Sequence, residues 1–571
     1  MNGQTADPNV SPSSVRDGPR AFNLSIAGLF ALGISLRLWH YTARRSLWID
    51  EARLALNIGA RDFAGLVRPL DYDQAAPPLF LAVEKLATSV IGMSELSLRL
   101  FPMIAGIAVL FLTFWLVRPL VSHRETAIVT TITAISPVLV YYSNEVKPYI
   151  VDAAVAATLV LLARVAAAKP TQTNVVGLST AGVLAILLST PSVFVLSGVG
   201  ASWFFTRRTQ RLRWPHALMI AVPAGITLAC AYFLVYRGNV ASPYLKVFWG
   251  YRLLDPFQPE WAPRIWFAIR EIVTGLLTGK ATDRDIGLLW RYLSHSFTAV
   301  GLLLIALGTV RIRRRVGPFQ AALIVNPVVM VFAASFVGLY PIALRLTLYA
   351  APFLLLLVVA GGTELIVCLR GAEYRLLAST VLLSALASSP YFTALAAIDP
   401  HGRENSRPLI ADLTRSLRSD ESVYIDAGSL PAWIFYSTDW GNPDRARLAF
   451  AARVGSSGGP AFENAAPRRR HVANEGDELI YDGPYGPEVY GLFTGLQWRW
   501  GRGLAQQTPD SGWTANESRR MMLRSDKQWW ALFVRDFGSS ALLRSAFESA
   551  GAKETMQRRS GLVQLVRYNR E

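Results

Sequence analysis

The sequence predicts an α-helical polytopic membrane protein with a small C-terminal α/β domain outside the bilayer. Three observations predict it. The 571 residues are 52% hydrophobic and only 17% charged, with a mean hydropathy of +0.30, whereas soluble chains carry about a quarter charged residues. The apolar residues gather in runs long enough to cross a hydrocarbon core of about 30 Å. From Asp399 onward the composition turns to that of a soluble domain. A net charge of +17 would point to nucleic acid in a soluble protein. Here the arginines cluster in short loops between apolar runs, where they orient the chain on an anionic leaflet.

Taken in order, residues 1–20 are rich in Pro, Ser and Asn and are expected to form a disordered cytoplasmic tail. The run 21–41 has no small-residue cleavage site and reads as a retained span. Further runs of spanning length fall at 96–117, 126–143, 149–168, 175–190, 191–206, 216–236, 293–310, 319–339, 345–368 and 376–396. Pro77–Ile91 is short for a span and carries Glu84 and Lys85 in its middle. Laid along the interface, it leaves Arg118–Arg124, Lys169, Arg207–Arg213, Arg311–Arg315 and Arg370–Arg375 all on the side of the N-terminus; counted as a span, it breaks that parity. The reading is therefore about eleven spans, with the N-terminus inside and a long first outer loop at 42–95. That loop holds two interfacial helices, one starting near Asp50 and one opened by Pro77-Pro78.

The stretch 175–206 must turn at Ser189-Thr190-Pro191-Ser192. A second outer loop, 237–292, carries Tyr244, Trp249, Tyr251, Trp261, Trp266 and the cluster Asp283, Arg284, Asp285; an interfacial aromatic belt and a lid over a site both fit it. Beyond it, Ser422–Ile425, Leu532–Val534 and Gly561–Arg567 read as strands and Leu542–Gly551 as an amphipathic helix. Cys230 and Cys368 lie in predicted spans without metal-ligand spacing. There is no Walker loop, dinucleotide fingerprint or HExxH.

The chemistry-bearing residues sit at the outer ends of spans. Asp50 and Glu51 follow Ser46-Leu47-Trp48-Ile49, Glu145 and Lys147 lie in the turn Tyr141–Tyr149, and Arg345 opens the run after Tyr340-Pro341. On the predicted topology all face one side, so both signs of charge from three segments can meet in one pocket. Each has a plainer reading. Asp50 can cap a helix beginning at Glu51, Glu145 and Lys147 can be turn residues in water, and Arg345 and Arg99 can be snorkelling anchors. Arg118, Arg207 and Arg311–Arg315 are assigned wholly to topology.

Four motifs in order decide between these readings: Leu47-Trp48-Ile49-Asp50-Glu51-Ala52, Pro77-Pro78-Leu79-Phe80, Leu98-Arg99-Leu100-Phe101-Pro102 and Tyr141-Tyr142-Ser143-Asn144-Glu145-Val146-Lys147-Pro148-Tyr149. Together they resemble the N-terminal module of the C-type (GT-C) membrane glycosyltransferases, in the branch of the protein O-mannosyltransferases and the lipid A aminoarabinose transferase. The resemblance covers residues 21–170, and beyond them Arg345 is the one recognisable position. It implies an inverting transferase that takes sugar from a polyprenyl-phosphate donor on the non-cytoplasmic face of a bacterial inner membrane. The acceptor would be a lipopolysaccharide, a surface polysaccharide or a protein. It implies Asp50 as catalytic base with Glu51 as acidic partner, Lys147 and Arg345 on the donor phosphate, and Glu145 and Tyr149 orienting substrate. Relatives often carry a polar or basic residue before the proline pair; here Ala76 stands there, and any contact from it is lost.

The implied organisation is a tail at 1–20, a catalytic transmembrane domain at 21–398 and an extracytoplasmic α/β domain at 399–571. No metal site is evident, and a divalent cation among Asp50, Glu51 and Glu145 stays open. A flippase for a lipid-linked sugar is the second reading, though that class places its charges near mid-membrane. An inactive, glycan-binding relative is the third.

Overall fold

The described residues form a helical bundle followed by a mixed β-sheet. This computed structural model describes residues 17–237, 243–257, 260–278, 288–373, 375–376, 393–394, 397–398, 404–417, 421–425, 429–438, 440–441, 518, 528–534 and 539–570, with the backbone of the strands between 469 and 506. Seven described helical stretches are long and apolar enough to cross a membrane: Phe22–Thr42, Glu95–Val117, Tyr149–Ala168, Trp214–Tyr236, Leu293–Val316, Pro318–Phe336 and Leu344–Cys368. The predicted span 376–396 and the Asp283–Asp285 cluster fall largely or wholly outside the described residues.

Helix α1 (Asp17–Thr42) starts inside the expected tail. Between it and the next span lie α2 (Ile49–Ala60) and α3 (Pro78–Ile91), the two helices expected in the first loop. Lys85 of α3 donates from Nζ to the carbonyls of Ile58 and Gly59 at 2.9 and 3.2 Å. A cation thus closes the C-terminal end of α2, where unpaired carbonyls collect. Its neighbour Glu84 is fully buried and its carboxylate has no hydrogen-bond partner.

After α4 (Glu95–Val117), the predicted span 126–143 is broken into α5 (His123–Ile135) and α6 (Pro137–Tyr142). Pro137 has no N–H to give the carbonyl of Thr133. The buried Arg37 of α1 takes that role, donating to Thr133 and Ala134 carbonyls at 3.1 Å each. Helix α7 (Tyr149–Ala168) follows, then α8 (Gln172–Leu188) and α9 (Ser192–Thr206), which turn where expected, and α10 (Trp214–Ala231). The second loop contributes α11 (Pro243–Gly250) and α12 (Trp261–Thr278). Helices α13 (Leu288–Val316) and α14 (Pro318–Phe336) lead to a 3-10 segment, Leu344–Ala350, which runs into α15 (Ala351–Cys368).

Arg311 corrects one sequence reading. It bridges Glu125 of α5 and Glu364 of α15 at 3.0 Å each, so it is a tie between helices as well as a topological charge.

In the C-terminal part, α16 (Ser406–Ser416) and α17 (Leu430–Ser437) flank β1 (Ser422–Ile425). With β2 (Arg469–Val472), β3 (Gly476–Asp482), β4 (Glu488–Leu492), β7 (Gln528–Val534), β8 (Ala552–Ser560) and β9 (Val563–Arg570) it forms a seven-stranded sheet ordered β2-β3-β4-β1-β7-β9-β8, beside a separate pair, β5 (Arg499–Gly501) and β6 (Leu504–Gln506). β1 is parallel to β4 and β7; the other pairs are antiparallel. Alternation divides the sheet's faces. Trp529, Ala531 and Phe533 pack with Phe547 of α18 (Ser539–Ser549), whereas Trp530 and Leu532 join the core that runs on into α2. β8 escaped the sequence reading because it is an edge strand, mostly exposed and without apolar alternation.

Candidate active site

Helix α2 is the hub. Its N-cap position is Trp48, so Asp50 lies inside the first turn and not at the cap. The Asp50 Oδ2 is 3.4 Å from an Arg345 terminal nitrogen. The Asp50 and Arg345 side chains are 24% and 22% exposed, open enough to touch a substrate. The Arg345 guanidinium also lies over the Trp249 ring, 5.1 Å from its centroid, so the second loop does reach the site.

Glu51 faces the other way and is fully buried. Arg99 donates to both its oxygens, Nε to Oε1 at 3.0 Å and a terminal nitrogen to Oε2 at 2.7 Å, a fork-to-fork pair. The Val146 N–H adds a bond at 2.9 Å and the Trp48 N–H one at 3.3 Å, and Arg45 stands 3.6 Å away. Burial pushes the Glu51 carboxyl up, but Arg99 and Arg45 outweigh it and hold the group below its usual range. Arg99 is 2% exposed, which replaces its reading as a snorkelling anchor. Glu51, expected as the acidic partner of Asp50, instead ties the first loop to α4 and to the Glu145 turn.

That turn joins α6 to α7. Glu145 accepts from the Trp48 indole at 3.1 Å, while its buried Oε2 has no hydrogen-bond partner. Burial and the Glu51 charge push its carboxyl up to about 7, against Arg45, Arg345 and Lys147. Lys147 is 6% exposed and donates to the Gln74 side-chain oxygen at 2.6 Å. Burial and Arg345 lower its ammonium, opposed by Asp50, Glu145 and Glu51. Neither Glu145 nor Lys147 is a turn residue in water. Tyr149 is 8% exposed, its ring edge-on to Tyr142 at 5.4 Å.

Gln74, Arg45 and Trp249 were missed as site residues by sequence reasoning. Gln74, two residues before Ala76, is the polar side chain that this stretch brings to Lys147. Its placement is local work by α2. Asn57 exchanges hydrogen bonds with the Asp71 backbone at 2.9 and 3.2 Å, and Arg61 pairs with the Asp71 carboxylate. Between them and Gln74, Tyr72 is held at φ 60°, a costly conformation for an aromatic residue that persists only when its surroundings impose it. Among the described residues no group of three or more His, Cys, Asp or Glu side chains is arranged to hold a metal ion. Of the three carboxylates at which the sequence left a divalent cation open, Glu51 is taken up by Arg99.

The bundle, the two helices of the first loop and the terminal sheet define a polytopic membrane protein of the C-type glycosyltransferase fold. The archaeal oligosaccharyltransferase AglB from Archaeoglobus fulgidus, solved in complex with an inhibitory peptide and a dolichol-phosphate, matches with a TM-score of 0.50 at 12% identity, over 90% of this chain and 70% of that one. ArnT from Cupriavidus metallidurans, bound to undecaprenyl phosphate, matches with a TM-score of 0.49 at 13% identity over 97% and 98% of the two chains. Against the apo A. fulgidus oligosaccharyltransferase the TM-score is 0.47 at 11% identity, over 74% of this chain and 64% of that one. No family model matches the sequence, and no curated protein matches it.

Proposed function

We propose that this chain is an inverting glycosyltransferase that moves a sugar from a polyprenyl-phosphate donor to a lipopolysaccharide, surface polysaccharide or protein acceptor. The proposal places it in a bacterial inner membrane, with residues 1–20 a cytoplasmic tail, 21–398 the catalytic domain and 399–571 outside the cytoplasm. One observation carries the reading: a partly open carboxylate, Asp50, lies against a partly open cation, Arg345, with the buried Lys147 within electrostatic reach of both.

The chemistry follows from that arrangement. The acceptor hydroxyl or amine attacks the anomeric carbon from the face opposite the phosphate, and its proton passes to Asp50. The bond from the anomeric carbon to the phosphate oxygen breaks, and its electron pair leaves on the polyprenyl phosphate. Arg345 and Lys147 stabilise that growing charge, which is worth most in a partly dry pocket. Glu145 and Tyr149 orient the substrate beside Lys147, and Glu51 holds the loop that carries Asp50. The carriers that AglB and ArnT were solved with are phosphate lipids of this kind.

The test is turnover by purified protein with a panel of undecaprenyl-phosphate-linked hexoses and pentoses, scored as released undecaprenyl phosphate. D50N is expected to lose about a hundred- to ten-thousandfold in rate while inserting and folding as wild type. Retained turnover in that variant removes the proposed base.

A further inference from the structure

The backbone just before Asp50 is held mainly by the C-terminal part of the chain. Three consecutive N–H groups, those of Leu47, Trp48 and Ile49, all donate to side chains. Leu47 donates to the Tyr436 hydroxyl at 2.8 Å, Trp48 to Glu51 at 3.3 Å and Ile49 to Glu404 Oε2 at 3.0 Å. The Ser46 hydroxyl donates to Asn405 Oδ1 at 2.8 Å and accepts from the Arg407 N–H at 3.2 Å. Tyr436 and Arg407 then meet on one carboxylate oxygen, Glu95 Oε1, at 3.0 and 2.9 Å, which locks this clamp to the start of α4. Trp48, at the N-cap, has no acceptor to offer its own helix. Glu404 supplies that acceptor from 355 residues away, placing an anion where the helix dipole favours one. Its backbone in turn bridges to Gly561, in the turn between β8 and β9.

We infer that Glu404 is a positioning residue for Asp50, so that the C-terminal part completes the reaction centre by capping α2 from outside. The inference rests on Asp50 being the proton acceptor. Asp50 follows Ile49 directly, so release of the Ile49 N–H lets the first turn of α2 fray and carries the carboxylate away from Arg345. A displacement of about 1 Å is enough to cost around a hundredfold in rate.

The test compares full-length wild type, E404Q and E404A. The Gln amide oxygen can still accept from Ile49; Ala cannot. In E404A, hydrogen exchange over residues 46–52 is expected to accelerate by about tenfold or more. Release of undecaprenyl phosphate from the donor panel falls by about ten- to a hundredfold, while binding of undecaprenyl phosphate alone, which Lys147 and Arg345 govern, is unchanged. E404Q restores exchange protection and turnover. Wild-type exchange in E404A, or equal loss in E404Q and E404A, overturns the inference. Should E404A fail to fold, E404L, which refills the space but likewise offers the Ile49 N–H no acceptor, carries the same exchange readout, with wild-type protection again overturning it. An active D50N would sink the reading of Asp50 as base and leave the exchange result standing, so the two failures are told apart.

Discussion

Asp50 and Glu51 are neighbours with the same charge and opposite circumstances. One is partly open beside Arg345; the other is fully buried with Arg99 and the Val146 N–H. Breaking a buried pair by removing one partner leaves the other charge stranded, which costs about 3–5 kcal/mol. E51Q is therefore expected to be a stability lesion at neutral pH, where D50N is a rate lesion, and thermal unfolding in detergent separates them. The pH dependence has a definite sign. The folded-state carboxyl of Glu51 is held below its usual value, so its contribution is present above the unfolded pKa of about 4.3 and is lost as pH falls through the folded value. The gap in melting temperature between wild type and E51Q should narrow below about pH 4. The sequence shows the Asp-Glu pair but not which member turns inward, because the turn of α2 that separates them has its direction set by Arg99 and the Glu145 turn.

At the scale of elements, the two charged partners ride on segments whose N-terminal ends are both pinned by distant carboxylates. Glu271 of α12 accepts from the Leu344 N–H at 3.3 Å and pairs with Arg252, whose carbonyl accepts from Ile342 at 2.9 Å. Gly275, one turn along α12, packs closely on Leu344: an added Cβ would lie 2.4 Å from the end of its side chain, which would have to move. E271A frees the Leu344 N–H and leaves Arg252 without its partner. It is expected to weaken binding of undecaprenyl phosphate about tenfold through movement of Arg345, measured on the purified protein. A binding constant equal to wild type would show that α12 does not position the cation. None of this is legible locally. Composition marks 237–292 as an aromatic outer loop, yet which aromatic lies under Arg345, and which acid pins its segment, depends on packing between residues 96 and 73 positions apart.

At the scale of the whole molecule, the membrane bundle and the terminal sheet share one apolar core. Leu54 and Ile58 of α2 belong to the same buried cluster as Leu409, Ile410, Trp433 and Trp530. Gly59, near the C-terminal end of α2, packs so closely on Trp440 that an added Cβ would lie 2.5 Å from its ring. A chain ending at residue 398 strips that face of α2 and removes Glu404 and Tyr436. It is expected to aggregate or to lose all turnover, measured by size exclusion in detergent and release of undecaprenyl phosphate. A stable, active 1–398 fragment would contradict the shared core.

What the sequence determined by itself is the class of molecule and the roster of charged side chains. Spans follow from local hydrophobicity, turns from Pro and Ser at fixed places, and the four short motifs from residues adjacent in the chain; α8, α9 and the strands β1, β7 and β9 were legible on those grounds. Tertiary structure alone decided which charges are open and which are spent. Glu51, Arg99 and Arg311 are committed to charged partners, Gln74 accepts from the buried Lys147, and Glu404 closes the helix that bears Asp50. The physical reason is the same in each case. Burial and pairing depend on what lies across the space between elements, and residues tens to hundreds of positions away supply it.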